Sequence, residues 1–152
     1  MAEFYDALET RDPAARERDL FARLPKQIAH AMTNASGFAR ILKGVTPADI
    51  TSRAALAKLP VTRKSDLKAL QAEIRPLGGL NATPVEKLAK LFVSPGPICE
   101  PEGHGRDWWR TGRALYAAGF RSGDLVTNTF AYHFTPAGAM MVLITPAAAS
   151  AP

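Results

Sequence analysis

The chain of 152 residues has the composition of an ordinary globular protein, with 47% hydrophobic and 22% charged residues. Those proportions exclude a wholly disordered chain, and the length is sufficient for one domain with a buried core. The net charge of +5 comes from 19 basic and 14 acidic residues. The basic residues are spread from Arg11 to Arg121 without a dense run. Because nucleic-acid and anionic-membrane sites usually cluster their charge, we expect neither partner.

The sequence predicts a cytoplasmic protein without a metal centre. Its single cysteine, Cys99, excludes an internal disulfide, and no basic-then-apolar leader opens the chain. The longest apolar run, near residues 137–144, is shorter than the roughly 20 residues that a membrane span needs. The histidines, His30, His104 and His133, lack the spacing of metal ligands.

The first half of the chain, residues 1–75, reads as a helical region. Asp12 followed by Pro13 is typical of a helix start, because an aspartate caps the free N–H groups and proline needs no donor there. An apolar stripe then follows at helical spacing, and Pro25 predicts a kink or a new helix start. The stripe consists of Phe21, Leu24, Ile28, Ala31 and Ala35.

The pattern changes after a connector rich in glycine and proline at residues 76–84. A short apolar run at 88–93, a helix-like segment at 107–118 and a second apolar run at 125–129 predict a βαβ unit with parallel strands. Residues 76–141 would then be a partial α/β region, and the Ala/Pro-rich residues 142–152 a disordered tail. The predicted fold class is therefore α/β, with a helical N-terminal half followed by an incomplete βαβ unit.

Several short segments, which follow one another in the same order, resemble the N-terminal region of phenylacetate-CoA ligases. These are AMP-forming enzymes of the adenylate-forming superfamily. The matching stretches are residues 23–42, 48–50, 56–67, 76–79, 118–119, 123–124 and 132–138, together with Ser94 and Trp109. The resemblance implies part of a larger adenylating-enzyme N-terminal domain. Members of the family use Mg-ATP to convert an aromatic carboxylic acid to an acyl-adenylate, from which coenzyme A displaces AMP. The family's adenine-binding segment, ribose-binding acidic residue and adenylation lysine would all lie beyond Pro152.

The resemblance places the family's phosphate loop, Ser-Ser-Gly-Thr-Thr-Gly-Lys-Pro-Thr, on residues 94–102. Ser94, Gly96 and Pro101 match the loop, whereas prolines, an isoleucine, a cysteine and a glutamate replace the other residues through position 100. A proline has no N–H to donate, and a glutamate in place of the lysine repels phosphate. We therefore expect a degenerate loop, a stiff connector between strand and helix, with no catalytic residue. We also expect no bound cofactor, although the family uses ATP, Mg and coenzyme A.

Tyr132, His133 and Phe134 match a family segment near the acyl pocket, so they are the candidate contacts for an aromatic carboxylic acid. They follow the second predicted strand, at the edge where open α/β sheets bind ligands. The alternative is that these aromatic side chains are part of the core. Cys99 has no adjacent basic residue to activate it, and we expect a passive thiol.

Two functional hypotheses follow. The first is a truncated or degenerate N-terminal part of a phenylacetate-CoA ligase-like enzyme, catalytically inactive by itself, whose C-terminal end arises from a frameshift or an early stop. A genuine small protein is the alternative origin. The second hypothesis is a non-enzymatic interaction module that forms a homo-oligomer, such as a homodimer, through an exposed sheet edge or the apolar C-terminal segment.

Overall fold

The computed structural model describes residues 4–105 and 107–141, which form helices and a two-stranded sheet. The helical half contains α1 (Pro13–Asn34), α2 (Ser36–Ile41), α3 (Arg53–Leu56) and α4 (Lys64–Glu73). Short 3-10 turns at Pro47–Asp49 and Val85–Lys87 join these elements to one another and to the sheet. The strands β1 (Lys90–Ser94) and β2 (Ile98–Glu102) follow, then α5 (Gly112–Ala117) and α6 (Ala137–Met140).

The long helix α1 begins where the sequence predicts. The carboxylate of Asp12 accepts a hydrogen bond of 2.8 Å from the backbone N–H of Ala15, which satisfies one of the free donors at the helix start. Pro25 lies inside α1, and the helix continues through it to Asn34. The alternative of a new helix starting at Pro25 is therefore wrong. Extended backbone at Ala35 ends α1 and turns the chain into α2.

The main hydrophobic core lies in the helical half. Ile28 of α1, Leu42 after α2 and Ile50 after the first 3-10 turn are buried together. Partly buried apolar side chains pack around them, among which are Leu24, Met32, Phe38, Ile41, Val45, Ala55 and Leu59. Burial of such side chains removes apolar area from water, which is the dominant favourable term in folding.

The two strands form an antiparallel hairpin, in which Lys90 pairs with Glu102 and Ser94 pairs with Ile98. Side chains alternate between the two faces of a strand, so opposite residues share a face. One face carries the buried Phe92, Ile98 and Glu102. The other face carries more exposed side chains, such as those of Leu91 and Val93.

The predicted βαβ unit is not confirmed. The first strand is present, but the chain turns at residues 95–97 and returns antiparallel to it. A short turn can join two antiparallel strands, whereas two parallel strands need a longer crossover connection. Residues 125–129 form no strand, and Leu125 is fully exposed. The predicted helix over 107–118 begins only at Gly112, because Asp107 and Arg110 have left-handed φ angles of 50° and 56°. Among the described residues, the fold is a mixture of helices and one two-stranded sheet.

The predicted disordered tail, residues 142–152, lies outside the described residues. In the part of the chain that the structure describes, every helix is too short or too polar to cross a membrane.

Gly37 makes a close contact between α2 and the glycine-rich connector that follows α4. Its backbone N–H donates a 2.7 Å hydrogen bond to the carbonyl of Gly79. A Cβ atom at this position would collide with the carbonyl oxygen of Gly78. The absence of a side chain at position 37 therefore allows the two segments to meet.

We predict that Gly37→Ala lowers the free energy of unfolding by about 1–3 kcal/mol, the usual cost of overpacking. Helix propensity alone would give the opposite sign, since alanine is about 1 kcal/mol better than glycine inside a helix. Urea denaturation measures the change, with the exposed helical Ala39→Gly as the control that should follow propensity. An increase in stability for Gly37→Ala would contradict the close contact.

Candidate functional site

The hairpin is bonded along both of its outer edges. Val93 and Cys99 are opposite each other, at a position where antiparallel strands turn their N–H and C=O groups away from the partner. The Gln71 side-chain amide of α4 accepts from Cys99 N (2.8 Å) and donates to Cys99 O (2.9 Å). On the other edge, Val93 N donates to the carbonyl of Phe134 at 2.7 Å. The hairpin therefore joins the helical half to the segment that carries the predicted acyl-pocket residues.

The candidate phosphate loop lies at the tip of this hairpin. We expected it to connect a strand to a helix, but it connects β1 to β2, so that prediction of its setting is wrong. Ser94 ends β1, and Gly96 lies in the three-residue turn. Pro101 lies within β2 opposite Leu91, away from the turn, at an outward-facing position where its missing N–H is not required by the pairing. The structure thus brings Ser94 and Gly96 together and separates Pro101 from them.

The polar groups at the tip are already paired with one another. Ser94 Oγ donates to Glu100 Oε1 at 2.7 Å, across the two strands, and lies 3.4 Å from the carbonyl oxygen of Ile98. Lys64 Nζ of α4 lies 3.8 Å from the same carboxylate oxygen of Glu100. Within the turn at 95–97, two of three residues are prolines, so Gly96 offers the single backbone N–H. The tip therefore presents a carboxylate and few free donors to an approaching anion.

The predicted acyl-pocket residues do not converge on one cavity. Tyr132 lines a cavity of about 320 Å³ beside the hairpin, which Lys90, Phe92 and Glu102 also line. His133 and Phe134 do not line it; their rings meet edge-on with centroids 5.9 Å apart, and Phe134 is mostly exposed. The role of the three residues in binding an acid stays a prediction.

Glu102, at the end of β2, is the buried polar residue of this region, and the sequence reasoning missed it. Lys90 Nζ lies 2.6 Å from one carboxylate oxygen, and Trp109 Nε1 donates to the other at 2.8 Å. Burial raises the pKa of Glu102, but the hydrogen bonds from Lys90 and Trp109 and the charge of Lys90 together outweigh it and lower the pKa. The carboxylate is therefore ionised at neutral pH, and it accepts the hydrogen bonds that join β2 to Lys90 of β1 and to Trp109.

The described residues include no cluster of metal-ligating side chains. Within residues 4–105 and 107–141, no group of three or more His, Cys, Asp and Glu side chains is arranged to hold one. The thiol of Cys99 is free and partly buried.

We predict that Glu102 makes the stability of the protein depend on pH in the acid range. Its folded pKa lies below the ordinary value of 4.5, so its contribution is fully present above that value and is lost as the pH falls through the folded pKa. Relative to Glu102→Gln, the native protein should lose stability on acidification. Urea denaturation at a series of pH values measures the difference, and parallel curves for the two proteins would contradict the stabilisation of the Glu102 carboxylate by Lys90 and Trp109. Glu86→Gln, at an exposed glutamate, is the control.

The sequence relatives and the structural neighbours of this chain described below are all CoA ligases. No family model matches the chain. A phenylacetate-coenzyme A ligase of Aromatoleum evansii is 35% identical over 119 residues, covering 72% of this chain and 26% of that protein. The phenylacetate-coenzyme A ligase of Pseudomonas putida is 30% identical over 136 residues, covering 84% of this chain and 30% of that protein. The chain thus spans between a quarter and a third of the length of these curated relatives.

Solved structures of 2-hydroxyisobutyryl-CoA ligase share the fold. The structure in the postadenylation state with 2-HIB-AMP superimposes with a TM-score of 0.76 at 23% identity, over 90% of this chain and 31% of that one. An open conformation with 2-HIB-AMP and CoA gives a TM-score of 0.69 at 27% identity, over 90% of this chain and 34% of that one. The resemblance predicted from the sequence is confirmed: the chain is a phenylacetate-CoA ligase-like protein that corresponds to a part of an adenylate-forming acyl-CoA ligase.

Proposed function

We propose that these residues are the N-terminal part of a phenylacetate-CoA ligase-like enzyme whose phosphate loop has lost the ability to hold ATP. The family reaction, activation of an aromatic carboxylic acid to its CoA thioester through an acyl-adenylate, is then not performed by this polypeptide alone. The observation that carries the proposal is the hydrogen bond from Ser94 to Glu100, because it commits the loop's remaining hydroxyl donor to a carboxylate.

Electrostatics supports the same conclusion. Two unit charges about 4 Å apart interact by about 4 kcal/mol at an effective dielectric near 20, so exchanging the family's lysine for Glu100 turns an attraction of that order into a repulsion. Lys64 offsets part of the repulsion, but its Nζ lies 3.8 Å from Glu100 and is already paired with it. A triphosphate would have to displace that contact and would still face the carboxylate.

The family reaction also uses residues outside the segment that this chain matches. The resemblance assigns the adenine-binding segment, the ribose-binding acidic residue and the adenylation lysine to positions that these 152 residues do not contain. An aromatic acid could still be held at the cavity beside Tyr132. The genomic sequence downstream tests the frameshift idea, which predicts ligase-like coding in another reading frame.

We predict that the chain does not bind Mg-ATP at micromolar concentrations in isothermal titration calorimetry. The double variant Pro97→Thr, Glu100→Lys restores a hydroxyl and a cation at the tip and should bind more tightly than the native chain. Glu86→Lys makes the same change of charge at an exposed site outside the hairpin and should leave binding unchanged. Low-micromolar ATP binding by the native chain would overturn the proposal.

A second candidate function is a non-enzymatic interaction module, favoured by exposed apolar side chains. Leu125, Phe130, Tyr132 and Phe134 are all more than half exposed and lie in one ten-residue stretch of the chain. Exposed apolar surface of this kind is typical of contact sites between proteins. Both outer edges of the hairpin are bonded at Val93 and Cys99, which favours this stretch over the sheet edge as the contact surface. The other predicted contact surface, the apolar C-terminal segment, lies mostly outside the described residues.

We predict that the chain forms a homodimer in solution, measured by size-exclusion chromatography with light scattering. The double variant Leu125→Ser, Phe134→Ser should shift the mass toward the monomer, because it removes the two most exposed apolar side chains of the stretch. Val61→Ser changes an apolar residue of the helical half that is as exposed as Phe134, and it serves as the control. A native chain that stays monomeric at high concentration would contradict the interaction hypothesis.

A further inference from the structure

A second cavity is lined by residues outside the hairpin. It has a volume of about 910 Å³ and is lined by residues of the N-terminal segment before α1, of α1 and α3, and of the start of α5 with the turn before it. Volumes of 300–1,000 Å³ are usual for small-molecule sites. None of the residues at the hairpin tip, and none of the predicted acyl-pocket residues, lines it.

The floor of this cleft is apolar. Leu24 lies four residues after Leu20 and three after Phe21, so all three side chains lie on one side of α1. Leu56 of α3 adds to the floor from the other side. Leu20 and Leu56 are 53% and 42% exposed, so the described structure leaves apolar area of the floor in contact with water.

The rim of the cleft is basic. Its charged lining residues are six cations and one carboxylate, that of Glu17; the cations are Arg11, Arg23, Lys26, Arg53, Arg110 and Arg113. Including the neighbouring Asp6, Glu9 and Asp19, four carboxylates face six cations, an excess of two positive charges.

The acidic residues leave part of the rim unpaired. Arg11 and Arg23 share Asp19, while Arg53 pairs with Glu17 at 2.5 Å and Arg113 with Asp6 at 2.5 Å. Lys26 and Arg110 have no acidic partner among the described residues. Ion pairs at such exposed sites contribute little to stability, so the paired guanidiniums can also turn toward a ligand.

Arg110 reaches the rim through an unusual turn. Its φ of 56° is left-handed, as is the φ of 50° at Asp107, whose carbonyl accepts a 2.8 Å hydrogen bond from Arg110 N. Residues other than glycine adopt left-handed φ angles at a cost in free energy, and residues with such angles are often found at binding sites. The turn places an unpaired guanidinium beside the apolar floor.

We propose that this cleft binds an amphipathic organic anion, with an apolar body on the floor and a carboxylate head at Lys26 and Arg110. Apolar area removed from water on the floor would supply the affinity, and the excess of cations would select the sign of the head group. The site requires no nucleotide and does not depend on the hairpin tip. A test of anion binding in the cleft can therefore fail or succeed whatever the outcome of the test for ATP binding.

Three probes separate the two parts of this recognition by calorimetry on the whole chain without ATP. Decanoate carries both the apolar body and the anionic head, decyltrimethylammonium has the same body with a cationic head, and acetate has the head without the body. Both decyl-chain probes are used below their micelle concentrations. We expect decanoate to bind measurably, and the other two to bind at least about tenfold more weakly because each lacks one contribution. Equal binding of the two decyl probes, or no binding of decanoate, would overturn the proposal.

Variants then locate the site. The double variant Lys26→Gln, Arg110→Gln should weaken decanoate binding about tenfold, the order expected for losing charge-assisted contacts. Leu20→Ser should weaken it through the floor, whereas Lys43→Gln removes an exposed cation that does not line the cleft and should have no effect. Circular dichroism confirms that each variant is folded. Unchanged binding in both cleft variants, or an equal loss in Lys43→Gln, would place the binding elsewhere and overturn the assignment.

Discussion

The reciprocal hydrogen bonds between Gln71 and the backbone of Cys99 are the interaction on which the arrangement of the two halves depends. They satisfy an N–H and a C=O that β2 turns away from β1, so α4 takes the place of a third strand along that edge. On the opposite edge the carbonyl of Phe134 does the same for Val93. A two-stranded hairpin is marginal by itself, and it gains stability here from elements packed on both sides.

The same pairing determines the chemistry of the hairpin tip. Because Ser94 faces Ile98 in the register, only three residues remain for the turn, and Glu100 comes within reach of the Ser94 hydroxyl. The backbone of the strands is committed to pairing and to Gln71, and the prolines of the turn donate nothing. The tip of the hairpin is therefore left with one carboxylate and few free donors.

The sequence predicts the helical half better than the half that follows. Local signals suffice at Asp12 and Pro13, because capping and the fixed φ of proline act within one turn of helix. The second strand lacks such a signal: residues 98–102 contain a proline and two glutamates, types that are depleted in strands, and only pairing with β1 makes them one. The buried Glu102 was missed for the same reason, since glutamate is ordinarily exposed and its partners become visible only with the register. The run at 125–129 has strand-like composition, yet no neighbour pairs with it in the described structure.

The distribution of burial implies that the two halves are stabilised in different ways. Ile28, Leu42 and Ile50 form an apolar core in the helical half, whereas the segment after β2 is tied mainly by polar contacts. Trp109 donates to Glu102, Thr111 donates to the carbonyl of Met140 at 3.0 Å, and Asn128 donates to that of Gly138 at 3.1 Å. Net stabilisation from a hydrogen bond is only about 1 kcal/mol, so these contacts hold less than a core of comparable size would. Segments with few buried apolar contacts open at lower free energy than a packed core. The region beyond the hairpin should therefore unfold locally before the helical half does, and any contact that covers its exposed apolar side chains would raise its stability more than that of the core.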